Sequence, residues 1–234
     1  MAELGTALIV GGTSVFGKRL AEHYLETGRS VVVTSREHDR AQGVAAELGG
    51  NSQGIALDLT KPYDIADALA DVDDVDRLVI LSILRDENTV KNYNIDGATY
   101  LVTMKLIGYI EVIHALAARM REDSSIVLYG GLAKERPYPG SLTVTSVNGA
   151  VMTMIRSLAI ELAPIRVNAI HPSIIGDSPY WANKPQEVLD RQIARTPLGR
   201  LVMVDEVVDA TIFLLENRAV TGTNLHVDGG SLLT

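Results

Sequence analysis

Gly11, Gly12, Thr13, Ser14, Val15, Phe16 and Gly17 have the types and spacing of a phosphate cradle. They follow a short apolar run, residues 7–10, and open a helical pattern. A glycine turn there lets backbone approach a pyrophosphate, and the first N–H groups of the helix point at it. The expected chemistry is dinucleotide binding, with Gly11, Thr13, Ser14, Phe16 and Gly17 as contacts. A second apolar run, 31–34, ends at Ser35 and Arg36. An acidic residue roughly 20 residues after the glycines would bind the ribose 2′-hydroxyl of NAD. A hydroxyl and a guanidinium instead suit a 2′-phosphate, which a carboxylate would repel. The expected cofactor is therefore NADP(H) in preference to NAD(H). Asp58, after the run 54–57, suits either the adenine amino group or a helix N-cap.

Lys105 is the second candidate. It sits in a segment, 100–116, that is apolar nearly all round: Leu101, Val102, Met104, Leu106, Ile107, Ile110, Val112 and Ile113. An ionisable group there needs a partner. It reads either as a group that holds ribose hydroxyls or donates a proton once desolvation lowers its pKa, or as a snorkelling interface lysine. A surface helix keeps one polar face, so this one reads either as buried inside the domain or, preferably, as covered on its outer face by a second subunit, in a homodimer or homotetramer. Tyr129 offers a phenol that either points at substrate or is core with its hydroxyl satisfied. Tyr138, between two prolines, and the pair Tyr180 and Trp181 are candidate substrate contacts. His171, before Pro172, reads mainly as structural. His23, His38, His114, His171 and His226 are scattered, so no metal site is expected.

These side chains need a frame. Apolar runs at 7–10, 31–34, 54–57, 77–81, 125–129, 165–170 and 224–227 alternate with helical stretches such as 18–27 and 40–48. Short continuous runs bounded by turn signals read as strands buried on both faces, which means a parallel sheet. Repeated βα units make this an α/β fold: a single-domain, doubly wound Rossmann sheet over residues 1–234, with helices on both faces. The acidic run 71–76 reads as a solvated turn before a strand. A chain of 234 residues, 47% hydrophobic, can bury one large core. It has no cysteine, which removes disulfides and thiolate chemistry. A net charge of -8 argues against a nucleic-acid partner. No uninterrupted apolar stretch of roughly 18 residues suggests a membrane span, and residues 1–10 do not read as a signal peptide. A cytoplasmic protein with a small-molecule substrate is expected.

Later motifs carry a resemblance. Arg166 to Pro172 resembles the strand and turn of the short-chain dehydrogenase/reductase family. Pro197-Leu-Gly-Arg200, Asp205-Glu-Val207, Thr221-Gly222 and Val227-Asp-Gly-Gly230 resemble that family's tail in order and spacing. The resemblance implies cofactor contacts at Leu59, Ser82, Pro172, Ile175 and Ser178. Ser178-Pro179 matches a Thr-Pro whose hydroxyl meets the nicotinamide carboxamide.

The chain departs from the family pattern at several places. Val15 replaces a loop glycine, and Leu81-Ser-Ile-Leu84 replaces Asn-Asn-Ala-Gly. The catalytic serine, tyrosine and lysine positions fall on Gly131, Val144 and Asn148, and the helix-four asparagine falls on Lys105. Lysine and asparagine look exchanged between two helices. Valine cannot donate a proton. The resemblance therefore implies an atypical NADP(H)-dependent oxidoreductase in which Lys105, Tyr129 and Asn148 are the candidate catalytic groups. A non-catalytic NADP(H)-binding sensor or scaffold, and a non-redox lyase or isomerase, remain open alternatives.

Overall fold

The computed structural model describes residues 4–84 and 86–234. Residues 1–3, part of the segment that does not read as a signal peptide, lie outside the described residues. Seven strands form one parallel sheet: β1 (Thr6–Val10), β2 (Ser30–Ser35), β3 (Ser52–Ala56), β4 (Val75–Ile80), β5 (Ser125–Tyr129), β6 (Arg166–Pro172) and β7 (Asn224–Val227). Their spatial order is β3-β2-β1-β4-β5-β6-β7, and every pairing is parallel. The chain reverses direction across the sheet between β1 and β4, which is where an open α/β sheet presents its ligand crevice. The expected strands are all present, with ends differing by a residue or two.

Helices cover both faces because alternate strand residues point opposite ways. On one side Leu8, Val10, Leu78 and Ile80 join a core with Leu101, Val112, Leu116, Val147 and Val151. On the other Ala7, Ile9 and Val79 pack with Leu20, Tyr24, Val207 and Leu214. Those helices are α1 (Val15–Glu26), α2 (His38–Leu48), α3 (Ile65–Ala68), α4 (Ile95–Val102), α5 (Tyr109–Ala117), α6 (Leu142–Glu161), α7 (Pro179–Ala182), α8 (Gln186–Ile193) and α9 (Val204–Glu216). Gly28, with φ at +85°, follows the end of α1 in the left-handed conformation that suits a helix C′ residue.

Two expectations need correction. The apolar segment 100–116 is not one regular helix. Residues Thr103–Gly108 form a π-helical turn between α4 and α5. Such turns are uncommon and leave no periodic trace, because the hydrophobic pattern follows the regular helix on either side. The acidic run is not wholly solvated either. Asp76 is 2% exposed, and it accepts hydrogen bonds from Arg29 and from Arg121 at 2.8 Å. Distant arginines, invisible in the local charge pattern, make that burial tolerable.

The helical stretch Ile95–Ala117 is long and apolar enough to cross a membrane by length and composition alone. Here it lies against the sheet. Its inner face buries Leu101, Met104, Tyr109, Val112 and Leu116, while Ile107 and Ile110 on the outer face are about half exposed.

Candidate active site

The chain leaves β1 through the glycine turn and enters α1 at Val15. A Cβ placed on Gly17 would lie 2.3 Å from the Cα of Gly12, so helix and turn touch backbone to backbone. Only glycine permits that approach. The N-cap is Ser14, whose hydroxyl accepts from the Gly17 amide at 3.2 Å. Gly11 donates its amide to Thr34 Oγ1 at 3.2 Å, tying the turn to β2. Thr13 lies in the same turn, beside Ser14.

Beyond β2, Ser35 Oγ accepts from the Glu37 amide at 3.3 Å. Arg36 donates to Tyr100 Oη at 2.9 Å, which parks an exposed guanidinium over the end of the sheet. Asp58 caps a turn: its Oδ1 accepts from the Thr60 amide at 3.0 Å and from Thr60 Oγ1 at 2.7 Å. Leu59 is buried, and its carbonyl packs under Gly108 of the π turn. Gly11, Thr13, Ser14, Gly17, Ser35, Arg36, Asp58, Leu59 and Ser82 thus follow the carboxyl ends of β1 to β4, at one end of the sheet. They fit an extended dinucleotide: a glycine cradle, a helix N-terminus and a terminal cation.

Next to them opens a cavity of about 790 Å³. Its walls include Phe16, Lys105, Tyr138, Asn148, Pro172, Ile175, Ser178, Tyr180 and Trp181, together with Gly131 and Val144. Ser178 Oγ donates to the Ile175 carbonyl at 2.8 Å, fixing the turn that enters α7. The ring of Tyr180 stacks edge-on against Trp181 and carries Lys184 Nζ 4.2 Å from its centroid.

The Lys105 side chain projects from the π turn and is 3% exposed. Nζ donates to Tyr109 Oη at 2.9 Å and to the Ser82 carbonyl at 3.2 Å. Tyr109 Oη in turn donates to the same carbonyl at 2.8 Å. Among the described residues no carboxylate forms an ion pair with Lys105. Burial alone pushes its pKa down to about 7. At neutral pH the amine is therefore divided between its charged and neutral forms.

Asn148 is buried on α6, and its side-chain amide has no hydrogen-bond partner among the described residues. Its Nδ2 lies 2.9 Å from the point a Cβ on Gly131 would occupy. The amide thus fills the volume a side chain at 131 would need, and it opens onto the cavity. Val144 presents only methyl groups to the same wall.

Tyr129 does not serve as expected. It borders the cavity, but its hydroxyl bonds Thr211 Oγ1 at 2.8 Å in the core beneath α9, and burial raises its pKa. Side chains alternate along β5, and this one faces away from Lys105. His171 is fully buried. Its Nε2–H donates to Asn224 Oδ1 at 2.8 Å, a structural contact. Tyr109 was missed, although Lys105 and Tyr109 stand four residues apart, the spacing at which helical neighbours meet. Arg136 and Arg195, also on the cavity wall, carried no local signal.

Known proteins share this architecture. The family described as enoyl-(acyl carrier protein) reductase matches residues 11–231. A 3-oxoacyl-[acyl-carrier-protein] reductase of Mus musculus is 30% identical, over 97% of this chain and 97% of its own. The corresponding reductase of Aquifex aeolicus is 27% identical, over 96% of each. A solved short-chain dehydrogenase/reductase of Brucella melitensis, described as a glucose/ribitol dehydrogenase, superposes with a TM-score of 0.88 at 26% identity, covering 97% of this chain and 96% of that one. By sequence match and by fold, the chain belongs to the short-chain dehydrogenase/reductase family.

Proposed function

We propose that the protein is an NADP(H)-dependent oxidoreductase acting on a small organic substrate, with Lys105 rather than a tyrosine moving the proton. The observation that carries this reading is the Lys105 amine on the cavity wall, desolvated and held by Ser82 and Tyr109. When bound, the nicotinamide supplies or accepts hydride. The chain's residues do the rest. The glycine turn and the α1 N-terminus hold the pyrophosphate, and Arg36 favours a 2′-phosphate. Phe16, Pro172, Ile175 and Ser178 shape the place for the nicotinamide. Asn148 orients a polar substrate atom through its unpaired amide. A group with a pKa near the working pH both gives and takes protons efficiently. Tyr138, Tyr180 and Trp181 exclude water around an apolar substrate. The cavity volume suits such a ligand.

A second reading, an NADP(H)-binding sensor or scaffold without turnover, is favoured by Val144 and Gly131, which bring no acid to the wall. One experiment separates them. NADPH and NADH are titrated by fluorescence against the wild type and Arg36→Glu, and carbonyl, imine and enone acceptors are then screened. Oxidation of NADPH by any acceptor, lost in Lys105→Met, supports the enzyme. Binding weakened by Arg36→Glu but never followed by oxidation supports the sensor. No binding of either nucleotide overturns both.

A further inference from the structure

The Lys105 amine has geometry that a proton donor does not require. Two of the positions around Nζ are occupied by Tyr109 Oη and the Ser82 carbonyl, at 2.9 and 3.2 Å. Both are oxygen acceptors for N–H, and among the described residues no third polar partner exists. The remaining position opens onto the cavity. The cavity wall carries the apolar residues Ile83, Leu84, Leu101, Val144 and Val147 besides polar ones such as Asn148. The titratable groups nearest it are Tyr109 on its own helical stretch and His171 from β6; Tyr129 faces the other side of the sheet, and Asp86, Glu87, Arg136 and Arg195 stand on the same cavity wall. Tyr109 and Tyr129 are held neutral by burial, and His171 has its pKa pushed down to about 4. Of the two carboxylates on the cavity wall, Asp86 accepts from Asn88, and neither it nor Glu87 forms an ion pair with Lys105 among the described residues.

We propose that Lys105 is a nucleophile toward carbonyl compounds, and that the cavity condenses an apolar aldehyde or ketone onto Nζ as an imine. The balance is simple. The nitrogen lone pair adds to the carbonyl carbon, and the carbonyl π pair goes to oxygen. A proton leaves nitrogen and one arrives on oxygen, giving a carbinolamine. That intermediate loses one water as the C=N bond forms. No oxidant, reductant or metal is needed. A desolvated lysine is the form in which an amine performs this reaction near neutral pH. A lysine on the open surface keeps the proton that blocks it. The Tyr109 and Ser82 oxygens restrain the two other N–H directions, so the lone pair is aimed into the cavity before a substrate arrives. The imine makes the adjacent carbon acidic, which opens carbon-centred chemistry to a site otherwise read as a hydride-transfer site. This capture does not depend on nucleotide, so it is tested without any.

The test uses the full chain with benzaldehyde as probe and cyanoborohydride as trap, at about pH 7, followed by intact-mass measurement and peptide mapping. The reducing agent converts the imine to a stable secondary amine on the lysine that formed it. The expected result is labelling of Lys105 about tenfold or more faster than the exposed Lys61 and Lys91. The adduct should be absent in Lys105→Arg, which keeps a cation but has no amine nucleophile. Lys105→Met serves as a second control. Because the mapping is done on the wild type, poor folding of a variant does not blur the result. Labelling spread over Lys61 and Lys91 without preference for Lys105, or an unlabelled Lys105 in the folded protein, overturns the proposal. Nucleotide binding measured on the same sample reports separately on the oxidoreductase reading.

Discussion

Lys105 Nζ and Tyr109 Oη lie 2.9 Å apart, and both donate to one carbonyl, that of Ser82. The two residues stand four apart along the helical stretch, a spacing that puts them on one face. The triangle explains how a buried amine is tolerated: two of its hydrogen-bonding positions are satisfied, while its charge has no carboxylate partner.

Tyr109 is therefore a positioning residue. Its oxygen accepts from Lys105 and so favours the charged form. Tyr109→Phe should lower the apparent pKa of Lys105 further below 7, by about one unit, as a hydrogen bond to a charged group is lost. The pH profile of Lys105 labelling or turnover measures this. A purely structural role would lower activity without moving the profile.

Replacing the buried amine should stabilise the fold. In the native state its pKa is about 7, against 10.5 for the unfolded chain. Between those values the unfolded chain binds a proton that the native state does not, so stability falls as pH drops from 10.5 toward 7. Lys105→Met should gain about 2 kcal/mol at neutral pH, with the gain vanishing near pH 10. Urea denaturation across that range checks both the sign and the slope.

The glycine cradle makes a steric prediction. A methyl group on residue 17 would meet Gly12 backbone at 2.3 Å, and backbone there cannot swing aside. Gly17→Ala should destabilise the protein by about 2 kcal/mol and weaken nucleotide binding, because the turn must open. Calorimetry and fluorescence titration of the same sample give the two effects.

His171 should limit acid stability. Burial holds its pKa at about 4, against 6.5 in the unfolded chain, and Nδ1 has no partner. As pH falls through 6.5 the unfolded chain takes up a proton, and stability is lost progressively until about 4. The loss amounts to about 3 kcal/mol at most. In His171→Gln the slope of stability over this range should flatten, as read by urea denaturation at a series of pH values.

The dinucleotide frame was legible because its signals are local. Gly11 to Gly17 and the strand before them lie within one βα unit, and a turn that admits only glycine shows itself as glycine. The motifs from Arg166 to Gly230 likewise sit at short spacing. The cavity wall was legible in part. Lys105, Asn148, Tyr138, Tyr180 and Trp181 all reach it, although they come from four separate segments. Tyr129 was misplaced because a strand's period reports which residues share a face, not which face meets the cavity. Tyr109 was overlooked because a tyrosine in an apolar helix looks like core, and its hydroxyl gains meaning only beside Lys105.

By itself, then, the amino-acid sequence determined the parallel α/β sheet, the glycine cradle, the cation after the second strand and the absence of a tyrosine at position 144. Each of these is written in neighbouring residues, through burial period, backbone freedom or side-chain charge. Tertiary structure alone decided that Asp76 is buried between Arg29 and Arg121, that Asn148 fills the space beside Gly131, and that Lys105 is desolvated on the cavity wall with Tyr109 and Ser82 as its hydrogen-bond acceptors. The physical reason is common to all three. The energy of a polar group is set by what desolvates it and what pairs with it, and those partners come from distant parts of the chain.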